Sequence, residues 1–156
     1  MHLARAAPVA IQQGLKMKQI PTIKTVMTPF PYSVAPDEPL GSADALMKQH
    51  QIRHLPVKDG QMLVGVVTER DITLLQALGA GETATIVSAY RTAPYVVDLS
   101  ERLDKVAMQM AEHHIDCALV TKNDKLVGIF TNTDACRQLA LQLRGPFMPG
   151  DGNEAA

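Results

Sequence analysis

The chain lacks a charge excess. Fifteen Lys and Arg stand against 16 Asp and Glu, giving a formal net charge of -1 and a pI of about 6.5. A nucleic-acid binder neutralises phosphates with a basic surplus, so no nucleic-acid partner is expected. No apolar run approaches the roughly 20 residues that span a bilayer, so no membrane partner is expected either. Cysteine is scarce. Cys117 and Cys136 have no metal-ligand spacing, and one falls in a predicted strand while the other falls in a predicted helix. They read as buried free thiols rather than a bridge, which fits a reducing cytoplasm. Gly-x-Ser-x-Gly, the P-loop, Gly-x-Gly-x-x-Gly and His-Glu-x-x-His are all missing. The chain therefore reads as a non-enzyme with no obligatory cofactor.

What the chain does have is a repetition at an offset of 63 residues. Leu63-Val-Gly-Val-Val-Thr-Glu-Arg-Asp71 returns as Leu126-Val-Gly-Ile-Phe-Thr-Asn-Thr-Asp134, with five of nine positions identical. The same offset pairs Pro31 with Pro94, Val34 with Val97, Leu40 with Leu103, Met47 with Met110, His50 with His113 and Val57 with Val120. A repeat this long is a whole supersecondary unit. Two copies predict two similar halves about a pseudo-twofold, with ligand clefts at their junction. The 156 residues, 46% of them hydrophobic, suffice for one core or two small ones that share an interface.

The residues predict βαββα in each repeat, an α/β (α+β) class. Asp37-Glu-Pro39 reads as a helix start, with an acid as cap and Pro in the first turn. Leu40, Ala43 and Met47 follow at helical spacing. Ile52–Val57 is a strand, Lys58–Gln61 a turn carrying Asp-Gly, and Met62–Val67 a buried strand. A second helix runs from about Arg70 to Leu78. In repeat two, Ser100 is expected to cap a helix carrying Leu103, Val106, Ala107 and Met110. Asp116–Thr121 and Leu126–Phe130 are strands, and Thr133–Leu143 is a helix. Tyr32–Val34 and Tyr95–Val97 are the opening strands. The divisions are 1–19 as an extension, 20–80 and 81–144 as repeats, and 145–156 as a Gly- and Pro-rich tail. Pro8 and weak amphipathicity argue against a transit peptide at the N-terminus.

Val26-Met-Thr28, Pro31, Val34, the Leu40/Ala43/Met47 helix, Ile52-Arg-His-Leu-Pro-Val57 and Gly65-Val-Val-Thr-Glu-Arg-Asp71 closely resemble the cystathionine β-synthase (CBS) domain. Repeat two resembles it with weaker motifs. The likeness spans roughly residues 20–143. It implies a tandem module that binds adenosine-containing ligands, such as AMP, ADP, ATP or S-adenosylmethionine, in clefts between the repeats. It further implies association into homodimers and regulation of a partner protein.

By this resemblance Thr68/Asp71 and Thr131/Asp134 are ribose and phosphate contacts at two helix starts, where free N–H groups and the dipole favour an anion. Read without it, the threonines are N-caps and the aspartates favourable first-turn residues. Arg70 either pairs with a phosphate or is a solvated surface residue. Its counterpart is Thr133, so the first cleft is expected to hold a phosphorylated ligand more tightly. Tyr32-Ser33 and Tyr95-Val96 precede the paired valines, and the family places this segment in the base pocket. Either tyrosine can stack on adenine or simply pack. His54 falls where the family has cleft-facing residues. His50, His113 and His114 lack the partners of a catalytic metal. The expected function is adenosine-ligand sensing. The rivals are a ligand-free adaptor and a small metal-dependent enzyme.

Overall fold

The computed structural model describes residues 19–145. Residues 1–18 of the expected 1–19 extension and the tail after Gly145 lie outside the described residues. The first repeat contains β1 (Thr28–Pro29), α1 (Leu40–His50), β2 (His54–Asp59), β3 (Met62–Thr68) and α2 (Glu69–Ala77). The second contains β4 (Val96–Asp98), α3 (Leu103–Glu112), β5 (Cys117–Lys122), β6 (Lys125–Thr131) and α4 (Asn132–Leu143). The mixed α/β class and the order of the helices and hairpin strands are as expected, with ends shifted by one to three residues, whereas β1 is a strand that the sequence pattern did not indicate.

Two hairpins form the scaffold. β2 and β3 pair antiparallel, as do β5 and β6, each with a register shift near the turn. The apolar runs of β3 and β6 lie on a boundary covered from both sides. Val66, Cys117, Leu119 and Ile129 make a core of their own there, with Leu63 and Leu126 against it. Each repeat has a second core beneath its helices. In the first it is Val34, Leu40, Ala43, Met47, Leu55, Val57, Val67 and Ile72.

The leading segments of the two repeats are exchanged. Ile23, in a short 3-10 turn at Ile23–Thr25, is fully buried in the core of the second repeat, with Val97, Val106 and Phe130. Ile86, 63 residues on, is fully buried in the core of the first repeat. β1 pairs with β6 at the edge of a four-stranded sheet ordered β1-β6-β5-β4. Arg91, at the position of Thr28, makes the matching bridge to Val66 of β3. Thr22 bridges Arg102 and Pro39 bridges Thr85, again a reciprocal pair. This reciprocity is the internal twofold that the repeat implied.

The exchange also explains two corrected helix caps. Neither Asp37 nor Ser100 caps a helix. α1 and α3 begin at Leu40 and Leu103 after Pro39 and Arg102, with no side-chain cap. Instead, Leu40 N–H donates to the Ala84 carbonyl at 2.9 Å and Leu103 N–H to the Pro21 carbonyl at 2.9 Å. The first-turn donors are met by backbone from the exchanged segments. Glu38 accepts from Ala35 N–H, and Ser100 donates to Asp98. The opening strand at Tyr32–Val34 shrinks to one parallel bridge, Val34 to Val57, whereas its counterpart is the full strand β4. Both cysteines are free, but only Cys117 is buried; Cys136 is exposed on α4.

Candidate functional site

A cleft of about 1020 Å3 opens where the two repeats meet. Both β-to-α junctions reach it, through Thr68-Glu69-Arg70 and Thr131-Asn132-Thr133-Asp134. The other wall is Thr28–Tyr32 with His50–His54, all from the first repeat.

The junctions are built alike. Thr68 is the N-cap of α2, and its hydroxyl accepts from Asp71 N–H at 3.1 Å. Asp71 Oδ2 accepts in return from Thr68 N–H at 3.1 Å and from the Thr68 hydroxyl at 2.7 Å. Thr131 and Asp134 repeat this box, with Asp134 Oδ2 accepting from Thr131 N–H at 2.9 Å and from its hydroxyl at 3.0 Å. Two orphan helix donors are thereby met at each start. The capping role of these residues is therefore real, and it holds both threonines at the cleft wall.

Each carboxylate also carries an arginine. Arg91 Nη2 donates to Asp71 Oδ1 at 3.2 Å, and Arg137 Nη1 to Asp134 Oδ1 at 2.8 Å. The expectation that the second junction lacks a cation is corrected here. Thr133 is neutral, but Arg137 supplies the charge one turn later. Arg53, Arg70, Arg91 and Arg137 all line the cleft, with Glu69, Asp116 and Asp134 as the acids. Arg53 lies 3.6 Å from Glu69, whereas the corresponding pair in repeat two is Asp116, which accepts from Asn132 at 3.2 Å. Among the described residues Arg70 has no carboxylate within ion-pair distance.

An aromatic wall stands opposite the junctions. Tyr32 and His50 stack with ring centroids 4.0 Å apart and planes 20° from parallel. Phe30, with a left-handed φ of 48°, is 86% exposed beside them. His54 also lines the cleft, and burial lowers its pKa by disfavouring the charged imidazolium.

The cleft thus brings together Tyr32, His54, Thr68, Arg70, Thr131 and Asp134. Asp71 lies behind Thr68 and Arg91 and does not line it. Ser33 is exposed outside it. Tyr95 packs against the core of the second repeat, and Val96 is exposed on β4; neither lines the cleft. The sequence reading missed Arg53, Arg91, Arg137, His50 and Phe30. Arg137, three residues after Asp134 on one helix, carried a readable signal. Arg91 carried none, because its approach to Asp71 depends on the exchange.

Chemically, the cleft offers a stackable face, threonine hydroxyl oxygens with a lone pair left to accept a hydrogen bond, and a set of guanidiniums. Among the described residues no three His, Cys, Asp or Glu side chains converge as metal ligands. No helix among them is long and apolar enough to cross a membrane.

Known proteins share this architecture. Hypoxic response protein 1 of Mycobacterium tuberculosis is 33% identical over 122 residues, which is 76% of this chain and 85% of that protein. The CBS domain pair of protein MJ0100, solved in complex with 5-methylthioadenosine and S-adenosyl-L-methionine, superposes with a TM-score of 0.71 at 26% identity. That match covers 78% of this chain and 98% of the solved chain. CBSX2, solved in complex with AMP, superposes with a TM-score of 0.66 at 27% identity, covering 79% and 98%. The model of the CBS domain matches twice, at residues 23–77 and 87–141. With both repeats matched and their junctions turned into one cleft, the chain belongs to the CBS domain family as a tandem pair.

Proposed function

We propose that the protein is a regulatory module that senses an adenosine-containing ligand, AMP, ADP, ATP or S-adenosylmethionine, in the cleft between its repeats and modulates a partner protein. The observation that carries this is the meeting of both Thr-x-x-Asp junctions with the Tyr32/His50 wall in one cleft. The wall suits a base, and the junctions suit ribose hydroxyls and phosphate. The complexes of MJ0100 and CBSX2 support the ligand class. In this reading Tyr32, His54, Thr68, Arg70, Thr131 and Asp134 make the contacts, and the module catalyses no step. Ser33, Tyr95 and Val96 stand outside this cleft and take no part in this reading. We place the module in the cytoplasm, in keeping with its free thiols, and as a homodimer through α2 and α4.

A thermal-shift panel of adenosine, AMP, ATP and S-adenosylmethionine tests the reading. At least one is expected to raise the Tm, as any ligand selective for the folded state must. Thr131→Val combined with Asp134→Ala should remove most of that rise. A panel with no shift would reject sensing and leave the ligand-free adaptor.

A further inference from the structure

Asp71 and Arg91 form one unit across the boundary between the repeats. Arg91 ends the exchanged segment, and its backbone is fixed to β3 in both directions. Val66 N–H donates to the Arg91 carbonyl at 3.1 Å, and Arg91 N–H to the Val66 carbonyl at 2.8 Å. Arg91 lines the cleft, and one guanidinium N–H reaches Asp71 Oδ1 at 3.2 Å. The other oxygen of Asp71 is held by Thr68. The Asp71 side chain is 16% exposed, that of Arg91 62%. A guanidinium has five donors in a rigid fork, so one bond to Asp71 leaves the rest for a ligand. The arrangement has no counterpart at the repeat offset. Position 28 is Thr, and the arginine on Asp134 comes from its own helix, where the first repeat has Leu74.

We infer that Arg91 is the specificity-determining cation that selects an anionic group on the ligand, and that Asp71 is its positioning residue. Asp71 then acts on the ligand through Arg91 and receives no ribose hydroxyl itself. Arg91 brings a charge whose backbone is already fixed, so binding an oxyanion orders little more than a side chain. The inference rests on the adenosine reading only for its choice of nucleoside probes.

The test is titration calorimetry of the full chain with adenosine, AMP and pyrophosphate. The proteins are the wild type, Arg91→Gln, Arg91→Lys, Asp71→Asn and the double variant Asp71→Asn/Arg91→Gln. Arg91→Gln should weaken AMP and pyrophosphate about tenfold and adenosine less than about twofold. Arg91→Lys should recover part of the loss. Asp71→Asn should weaken AMP more than adenosine, and should add little once Arg91 is gone. Equal losses of adenosine and AMP in Asp71→Asn would give Asp71 the ribose and overturn the inference. So would an Arg91→Gln protein that keeps its AMP affinity. A wild type that binds adenosine and gains nothing from phosphate sinks the inference and keeps the adenosine reading. One that binds pyrophosphate, with Arg91→Gln losing it, and no adenosine compound does the reverse. Binding of none of the three removes both.

Discussion

Gly65 and Gly128 show how one residue type can serve two different purposes at equivalent positions. Both belong to the repeated Leu-Val-Gly motif, and each sits under a leading segment from the other repeat. A methyl group on Gly65 would strike the Arg91 carbonyl and the Tyr90 ring. On Gly128 the three nearest atoms it would meet all belong to the Met27 side chain. Backbone in a bridge cannot withdraw, whereas a thioether chain has three rotatable bonds. Gly65→Ala is therefore expected to destabilise by about 3 kcal/mol, at the upper end of overpacking, and Gly128→Ala by about 1 kcal/mol. Urea unfolding of the two variants measures both, and equal costs would contradict the packing difference. A second contrast concerns sulfur. Burial first, and then the Asp116 charge, push the Cys117 thiol up to about 12, so it stays protonated in the folded chain. Cys136 is open to solvent. The sequence placed both in the right elements, but exposure depends on which face of α4 is covered, and that is a tertiary matter.

At the scale of elements, the legible parts are those written in local pattern. β3 and β6 were readable as unbroken apolar runs, α1 and α3 as helices by spacing, and the junctions as Thr-x-x-Asp boxes. The starts of α1 and α3 were not readable, because the atoms that cap them come from Ala84 and Pro21, far along the chain. The cleft was half legible for the same reason. Thr68, Arg70, Thr131 and Asp134 follow from motif and Tyr32 from its place before Val34, but Arg91 reaches Asp71 only through the exchange. The outer faces of α2 and α4 invite a prediction of their own. Leu74 is 59% exposed on α2 and Leu78 75% exposed at its C-cap, one turn on, and Leu139 and Leu143, also one turn apart, are 49% and 65% exposed on α4. These leucines are the surface that the proposed homodimer would cover. Light scattering at high concentration should give the mass of a dimer for the wild type. Leu74→Glu combined with Leu78→Glu should give a monomer that still unfolds cooperatively. A monomeric wild type would refute the proposed homodimer.

At the scale of the molecule, the exchanged segments bind the two repeats into one folding unit. The stretch 20–80 carries Ile23, whose side chain belongs in the core of the second repeat, and it lacks Ile86, which fills its own. Burying an isoleucine fully is worth about 1.5–3 kcal/mol. Cut between the repeats, each half loses that amount, the backbone carbonyl that accepts from the first turn of its first helix and the shared Val66/Ile129 core. A domain of about 60 residues is marginal even when complete, so these losses are decisive. Fragments 20–80 and 81–144 are each expected to show no cooperative thermal transition in circular dichroism, and mixing them should restore helix signal. A fragment spanning 32–92 makes the sharper comparison. It is as long as 20–80, but it carries Ile86, Tyr90 and Arg91 on the repeat they cover. It should be the more stable of the two, by enough to show a transition where 20–80 shows none. If 20–80 folds as well as 32–92, the exchange contributes nothing to stability, and the repeats are independent units that merely touch.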